Sequence, residues 1–190
     1  MEGMTVISDI TADAESRMKA TVEHAQEEFA GIRTGRAHPA MLNRIAADYY
    51  GAPTPLQQLA TFQVPEARTI MITPFDRSAM SAIEKAIRDS DLGANPSNDG
   101  NVIRVTLPSL TEERRRDYTK LAKQKAEEAR VAARNVRRQT IDQLKKLEKD
   151  KEISEDELSR AEKNLDVVTK KYTDQIDELL KAKETELLEV

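Results

Sequence analysis

The sequence predicts an α+β protein: an elongated antiparallel three-helix bundle interrupted by a small inserted α/β domain. Three observations predict it. Apolar residues recur every three or four positions in three long segments, the spacing of one helix face. Alternation with a period of two is confined to residues 36–108. The 190 residues are 34% charged but only 4% aromatic, without Trp, which suits surface-rich helices better than a thick core. The charges are interspersed and the apolar period persists, so disorder is the weaker reading.

The first helix is expected over 5–32, with Ile7, Ile10, Ala14, Met18, Val22, Ala25, Phe29 and Ile32 on one face. Gly31, Gly35 and Pro39 then mark a boundary. The second spans 111–151. Thr111 is its N-cap, Glu112 and Glu113 suit the first-turn dipole, and the inward stripe is Tyr118, Ala122, Ala126, Ala129, Ala133, Val136, Thr140, Leu144 and Leu147. At ~1.5 Å per residue it is about 60 Å long, longer than a small domain is wide. The third helix starts at Ser154, where Ser154 and Glu157 make a capping box. Its stripe is Leu158, Ala161, Leu165, Val168, Tyr172, Ile176, Leu179 and Leu187. The short turn before it makes the second and third helices antiparallel neighbours.

The insertion shows strand-like alternation at Ile45-Ala47-Tyr49, Phe62-Val64, Ile70-Ile72 and Ile103-Val105-Leu107, with Gly51, Pro53 and Pro55 separating the first two. Asp76 is expected to cap a helix carrying Met80, Ile83 and Ile87 inward and ending near Gly93, and Asn98-Asp99-Gly100-Asn101 reads as a turn. The domains expected are thus 1–35 with 109–190, and 36–108. They are joined at crossings near 33–36 and 106–109, where Thr34, Gly35, Thr106, Leu107 and Pro108 are candidate hinge residues.

Charge is unevenly spread beneath a net −4. Residues 1–35 carry −4, 36–108 are neutral, 152–190 carry −6, and 111–151 hold 14 Lys and Arg against 8 Asp and Glu. A basic segment binds nucleic acid locally despite an acidic whole, because the field acts within a Debye length of about 8–10 Å. At 100° per residue, Arg116, Lys120, Lys123, Arg130, Arg134 and Arg137 fall within about 100° of arc, away from the apolar stripe and interrupted by Glu127. The bland alternative is a solvated helix face. Against it, few i,i+4 partners of opposite sign relieve the row, and its distal half favours Arg, whose planar fork matches phosphate oxygens. A straight rod with such a row suits a structured RNA backbone, contacted without reading sequence.

Little else carries chemistry. There is no Cys, so neither disulfides nor thiol chemistry, which fits a reducing compartment. His24 and His38 lack neighbours at ligand spacing, Asp76-Arg77-Ser78 is better explained as a cap, and Tyr49-Tyr50 as strand packing. No phosphate loop, dinucleotide fingerprint or nucleophile elbow is present. The expectation is a binding factor without metal or cofactor and not an enzyme. No signal-peptide pattern and no apolar run of about 18 residues occurs, so the expected location is cytoplasmic, away from membranes.

Several strings together resemble the bacterial ribosome recycling factor family: Arg-Thr-Gly-Arg-Ala at 33–37, Asp-Tyr-Tyr-Gly-Ala-Pro-Thr-Pro-Leu at 48–56, Gln-Leu-Ala at 58–60, Ser-Asp-Leu-Gly at 90–93, Leu-Thr-Glu-Glu-Arg-Arg at 110–115, Arg-Asn-Val-Arg-Arg at 134–138 and Lys-Asp-Lys-Glu-Ile-Ser-Glu-Asp at 149–156. Their joint order covers nearly the whole chain. The resemblance implies an L-shaped, tRNA-like monomer with a three-helix bundle and a hinged β/α/β domain. It implies binding in the intersubunit space of the post-termination ribosome, and its splitting into subunits with elongation factor G and that partner's GTP hydrolysis. It also implies contacts with large-subunit ribosomal RNA through Arg33, Arg115, Arg134 and Arg137. Arg33 and Arg115 rest on the resemblance alone, whereas Arg134 and Arg137 also lie in the basic row, with Arg138 beside them. The chain departs from the family in a short N-terminal extension, Met1 to Met4. Two other classes compete: a helical scaffold or co-chaperone for a protein partner, and an enzyme housed in 36–108.

Overall fold

The computed structural model describes residues 2–189, with side chains from residue 5 onward; Met1 and the side chains of the rest of the Met1–Met4 extension lie outside the described residues. Four α-helices and six strands form two compact units, Met1–Phe29 with Leu121–Lys183, and Ala30–Lys120 with Glu184–Val190. Both chain crossings, 33–36 and 106–109, lie inside the second unit.

The first unit is helical. It contains most of α1 (Glu2–Ala30), α3 (Glu112–Lys149) and α4 (Glu155–Leu188). The expected stripes face inward: Ala14, Met18, Val22, Ala25 and Phe29 from α1, Ala122, Ala126, Ala129, Ala133, Val136 and Leu144 from α3, and Ala161, Leu165, Tyr172 and Ile176 from α4 are buried. Polar contacts give the helix directions. Arg17 donates to Gln139 at 2.7 Å, and Lys125 lies 3.4 Å from Glu28, so α1 and α3 run antiparallel. Arg130 meets Asp177 and Arg137 meets Asp166, so α3 and α4 are antiparallel as well. The ends follow the sequence chemistry. Arg114 donates its backbone N–H to the Thr111 hydroxyl at 3.2 Å. Ser154 and Glu157 form the reciprocal capping box, at 3.1 and 3.2 Å. Between α3 and α4 the chain reverses at Lys151, whose φ of 60° takes the left-handed position of a Schellman ending, with Glu152 N–H donating to the Leu147 carbonyl.

The second unit carries an antiparallel sheet in the order β3 (Ala60–Glu66), β4 (Thr69–Pro74), β6 (Ile103–Thr106), β5 (Pro96–Asn98), and a separate ribbon of β1 (Ala46–Tyr49) with β2 (Ala52–Pro55). One helix, α2 (Met80–Arg88), buries Met80, Ile83 and Ile87 as expected. Leu42, Leu56, Ile70, Ile72, Ile83, Ile87, Ile103 and Leu107 are the fully enclosed centre of a core drawn from residues 37–107.

Three local features differ from expectation. Pro53 and Pro55 do not merely separate strands; they lie within β2, opposite Asp48 and Ala46. Proline is tolerated there because alternate positions send both missing donors to one edge of a two-stranded ribbon. Pro96–Asn98 forms an unforeseen edge strand. Asp76 caps the short 3-10 turn Arg77–Ala79 that leads into α2, accepting from Ser78 N–H at 2.9 Å, and it also accepts the Tyr49 hydroxyl at 2.9 Å. The β1–β2 turn places Tyr50 and Gly51 at φ 51° and 81°, the two left-handed residues of a type I′ hairpin.

Candidate nucleic-acid interface

The inward Ala stripe of α3 determines where its charges go. With small residues at 122, 126, 129 and 133 turned to the core, the basic positions fall on the opposite face or beside the seam with α4. The structure divides the predicted row into these two kinds.

Lys123, Arg134 and Arg138 are exposed. The Arg134 side chain is 59% exposed and pairs, among the described residues, with Glu127 at 3.8 Å. Arg138 donates to Asn135 on its own helix. Lys123 has no ion pair among the described residues. Arg130 and Arg137 are seam residues. Arg130 donates through Nε to Asp177 at 3.1 Å and keeps a side-chain exposure of 20%; one terminal nitrogen is enclosed without a hydrogen bond, 3.5 Å from Glu127. Arg137 donates through Nε to Asp166 at 2.6 Å and is 37% exposed. In the second unit, Arg116 is paired with Glu112 at 2.7 Å and Lys120 is exposed.

The row is therefore better neutralised than its own helix suggests. Glu112 and Glu127 are partners legible in α3; Asp166 and Asp177 come from α4 and have no signature at helical spacing. Exposed pairs of this kind contribute about 0–1 kcal/mol each, so they organise the cations more than they hold the fold.

Arg33 and Arg115 sit differently. Arg33 is 4% exposed and donates to the Pro108 carbonyl, joining the two chain crossings. Its Nε has no hydrogen-bond partner, and burial lowers its pKa, opposed by the neighbouring Tyr118. It offers RNA no accessible fork. Arg115 is half-buried, with Nε enclosed and unbonded. Around them Thr34 is buried, Leu107 is buried and donates its N–H to the Arg68 carbonyl at 2.7 Å, and Thr106 and Pro108 are exposed. A side chain on Gly35 would place its Cβ 3.1 Å from the Glu189 carbonyl oxygen, and Arg36 pairs with Glu189 at 3.5 Å.

No group of three or more His, Asp or Glu side chains among the described residues is arranged to hold a metal. No helix among them is long and apolar enough to cross a membrane.

Comparison with known proteins adds a second line. The family described as ribosome recycling factor matches residues 25–188. A ribosome-recycling factor of Cutibacterium acnes is 68% identical over 184 residues, spanning 97% of this chain and 100% of the relative. One from Kineococcus radiotolerans is 62% identical over 185 residues, with 97% and 100% covered. A solution structure of a ribosome recycling factor superposes with a TM-score of 0.74 at 48% identity, covering 97% of this chain and 98% of that one. A second structure gives models for the T. thermophilus ribosome recycling factor and the E. coli elongation factor G bound to the E. coli post-termination complex; there the TM-score is 0.68 at 46% identity, with 96% of this chain and 99% of that one covered.

Proposed function

Because the chain belongs to the ribosome recycling factor family, we propose that it binds the post-termination ribosome in the cytoplasm and, with elongation factor G and GTP hydrolysed by that partner, promotes splitting into subunits. It works as a translation factor and not as an enzyme. The contact surface is the outward face of α3, where Lys123, Arg134 and Arg138 meet large-subunit RNA phosphates, joined at the seam by Arg137. The observation that carries this assignment is that Lys123, Arg134 and Arg138 stand exposed without a partner from α4, while the apolar stripes of the same unit are already buried. A scaffold would need an apolar face left over for its partner. In this unit the exposed large apolar side chains among the described residues are Val6, Val131 and Val167, one on each helix.

The segment 36–108 moves as a body about the two crossings, with Thr34, Gly35, Thr106, Leu107 and Pro108 taking up the change. Support comes from the Arg33 bond to the Pro108 carbonyl, which sets the crossings side by side as one pivot instead of two separated struts. The burial of Arg33 makes its part in ribosome binding indirect, through that junction.

The test combines pelleting with salt-washed ribosomes and a splitting assay on post-termination complexes. Salt-sensitive co-pelleting is expected, with splitting only when elongation factor G and GTP are both supplied. GTP hydrolysis by the purified protein alone, or pelleting indifferent to salt, contradicts the reading.

A further inference from the structure

We propose that Asp166 is a positioning residue for ribosome binding: from α4 it holds the Arg137 guanidinium by Nε and aims the two terminal nitrogens outward at an RNA phosphate. This rests on the reading of α3 as the RNA contact, and goes beyond it by assigning a role to an acidic residue on another helix.

The geometry carries the argument. An arginine has two ways to grip an anion, side-on through Nε and one terminal nitrogen, or end-on through both terminal nitrogens. At Arg137 the side-on position is taken, because Nε donates to Asp166 Oδ1 at 2.6 Å. The terminal nitrogens make no bond among the described residues, and the side chain remains 37% exposed. The end-on fork is thus open and already oriented. Asp166 lies 29 residues away in sequence, so the orientation is set by the packing of α4 on α3 and not by α3 rotamers. Arg134, one turn earlier, shows the contrast: its only ion pair is the 3.8 Å approach of Glu127, and it must be ordered when RNA arrives. Arg130 has the same Nε contact, to Asp177, but is too enclosed to present an open fork. Among the described arginines of the row, Arg137 alone combines an anchor through Nε with open terminal nitrogens; Arg116 is held by Glu112 through a terminal nitrogen instead.

Ordering a free, rotamer-rich side chain on binding weakens affinity by about 2- to 10-fold, and an anchor avoids that loss. Asp166 also repels phosphate, so deleting it mixes two effects of opposite sign. Two neutral variants separate them. Asp166→Asn keeps an acceptor oxygen at the same place; Asp166→Ala does not. Both lack the charge.

The experiment measures ribosome affinity of the full chain for both variants, in the wild-type and Arg137→Ala backgrounds, with thermal melts alongside. Asp166→Asn is expected to bind about 3-fold or more tighter than Asp166→Ala in the wild-type background, and equally in the Arg137→Ala background. Equal binding of the two in the wild-type background overturns the proposal. So does a difference that persists without Arg137, because Asp166 then acts by another route. If Arg137→Ala itself binds like wild type, the RNA-contact reading of Arg137 fails, and the positioning role falls with it.

Discussion

The two units fill their cores differently, although the helical unit also encloses the larger Met18, Leu144, Leu165 and Ile176. The helical unit lines α3 with Ala122, Ala126, Ala129 and Ala133, thin side chains that bury little apolar area each. The unit containing 37–107 uses Leu and Ile in a small volume, with Leu56, Ile70, Ile72, Ile83, Ile87 and Ile103 wholly enclosed. A thin core suits a rod. It spreads stabilisation along α3 from Leu121 to Lys149 and leaves most of the helix circumference outside, where charge is placed. A thick core suits a compact body. The difference teaches that the charged surface of α3 follows from its core: small residues inside allow close neighbours, and the remaining arc is free for cations.

The largest way to break this comparison is to remove one side of it. Replacing 36–108 with a short flexible linker is expected to leave a folded helical protein, because the core of that segment is drawn from 37–107. Ribosome binding should persist and splitting should be lost. Circular dichroism with pelleting checks it, and loss of cooperative helical unfolding counts against the separation.

Point substitutions should then show opposite sensitivities. Ile83→Ala opens a cavity in the thick core and is expected to cost about 2–5 kcal/mol. Ala133→Leu overfills the thin one and is expected to cost about 1–3 kcal/mol. Denaturant melts read both, and the contrast sharpens if Ile83→Ala leaves helical signal from α3 and α4 intact. Comparable tolerance of Ala133→Leu to an exposed Ala→Leu change would mean that the α3 seam is looser than the burial indicates.

A smaller effect tests the polar turns of the thick-cored unit. The Ser78 backbone N–H, with the Tyr49 hydroxyl, holds the Asp76 carboxyl below its ordinary value of 3.8, and the backbone amides of Val102 and Asn101 do the same for Asp99. A lowered folded-state pKa stabilises above the unfolded value and loses that contribution as pH falls through the folded one. The melting temperature of this unit should therefore drop below about pH 3.8, and Asp76→Asn should flatten the acid limb. A limb unchanged in both Asp76→Asn and Asp99→Asn places the acid sensitivity elsewhere.

Much of this is legible in the sequence. The helix stripes were legible because Met18, Ala126 and Leu165 each recur in step with 3.6 residues per turn, a signal that long helices repeat many times. Thr111 and Ser154 were legible as caps because capping is local. The strand at Ala52–Pro55 was not, since prolines argue against strands in general and only its position in a two-stranded ribbon admits them. Pro96–Asn98 has no apolar alternation to show. At the interface, the basic row was visible as a row, but its division into open and seam-bound cations was not. That division depends on Asp166 and Asp177, which lie 29 and 47 residues from their partners and are brought near only by helix packing. The burial of Arg33 was equally hidden, because a charged residue in a turn-rich boundary reads as exposed.

The most direct test of the central claim, that the outward α3 face meets RNA phosphate, is ribosome affinity across a salt series for Arg134→Ala beside wild type. Arg134 is exposed and its ion pair with Glu127 is long, at 3.8 Å, so on truncation the fold stability should change by no more than about 0.5 kcal/mol. The account predicts weaker binding at every salt concentration and a log–log slope shallower by roughly 1, with Glu127→Gln binding equally or slightly tighter. An Arg134→Ala protein that melts normally and binds with wild-type affinity and slope would contradict it.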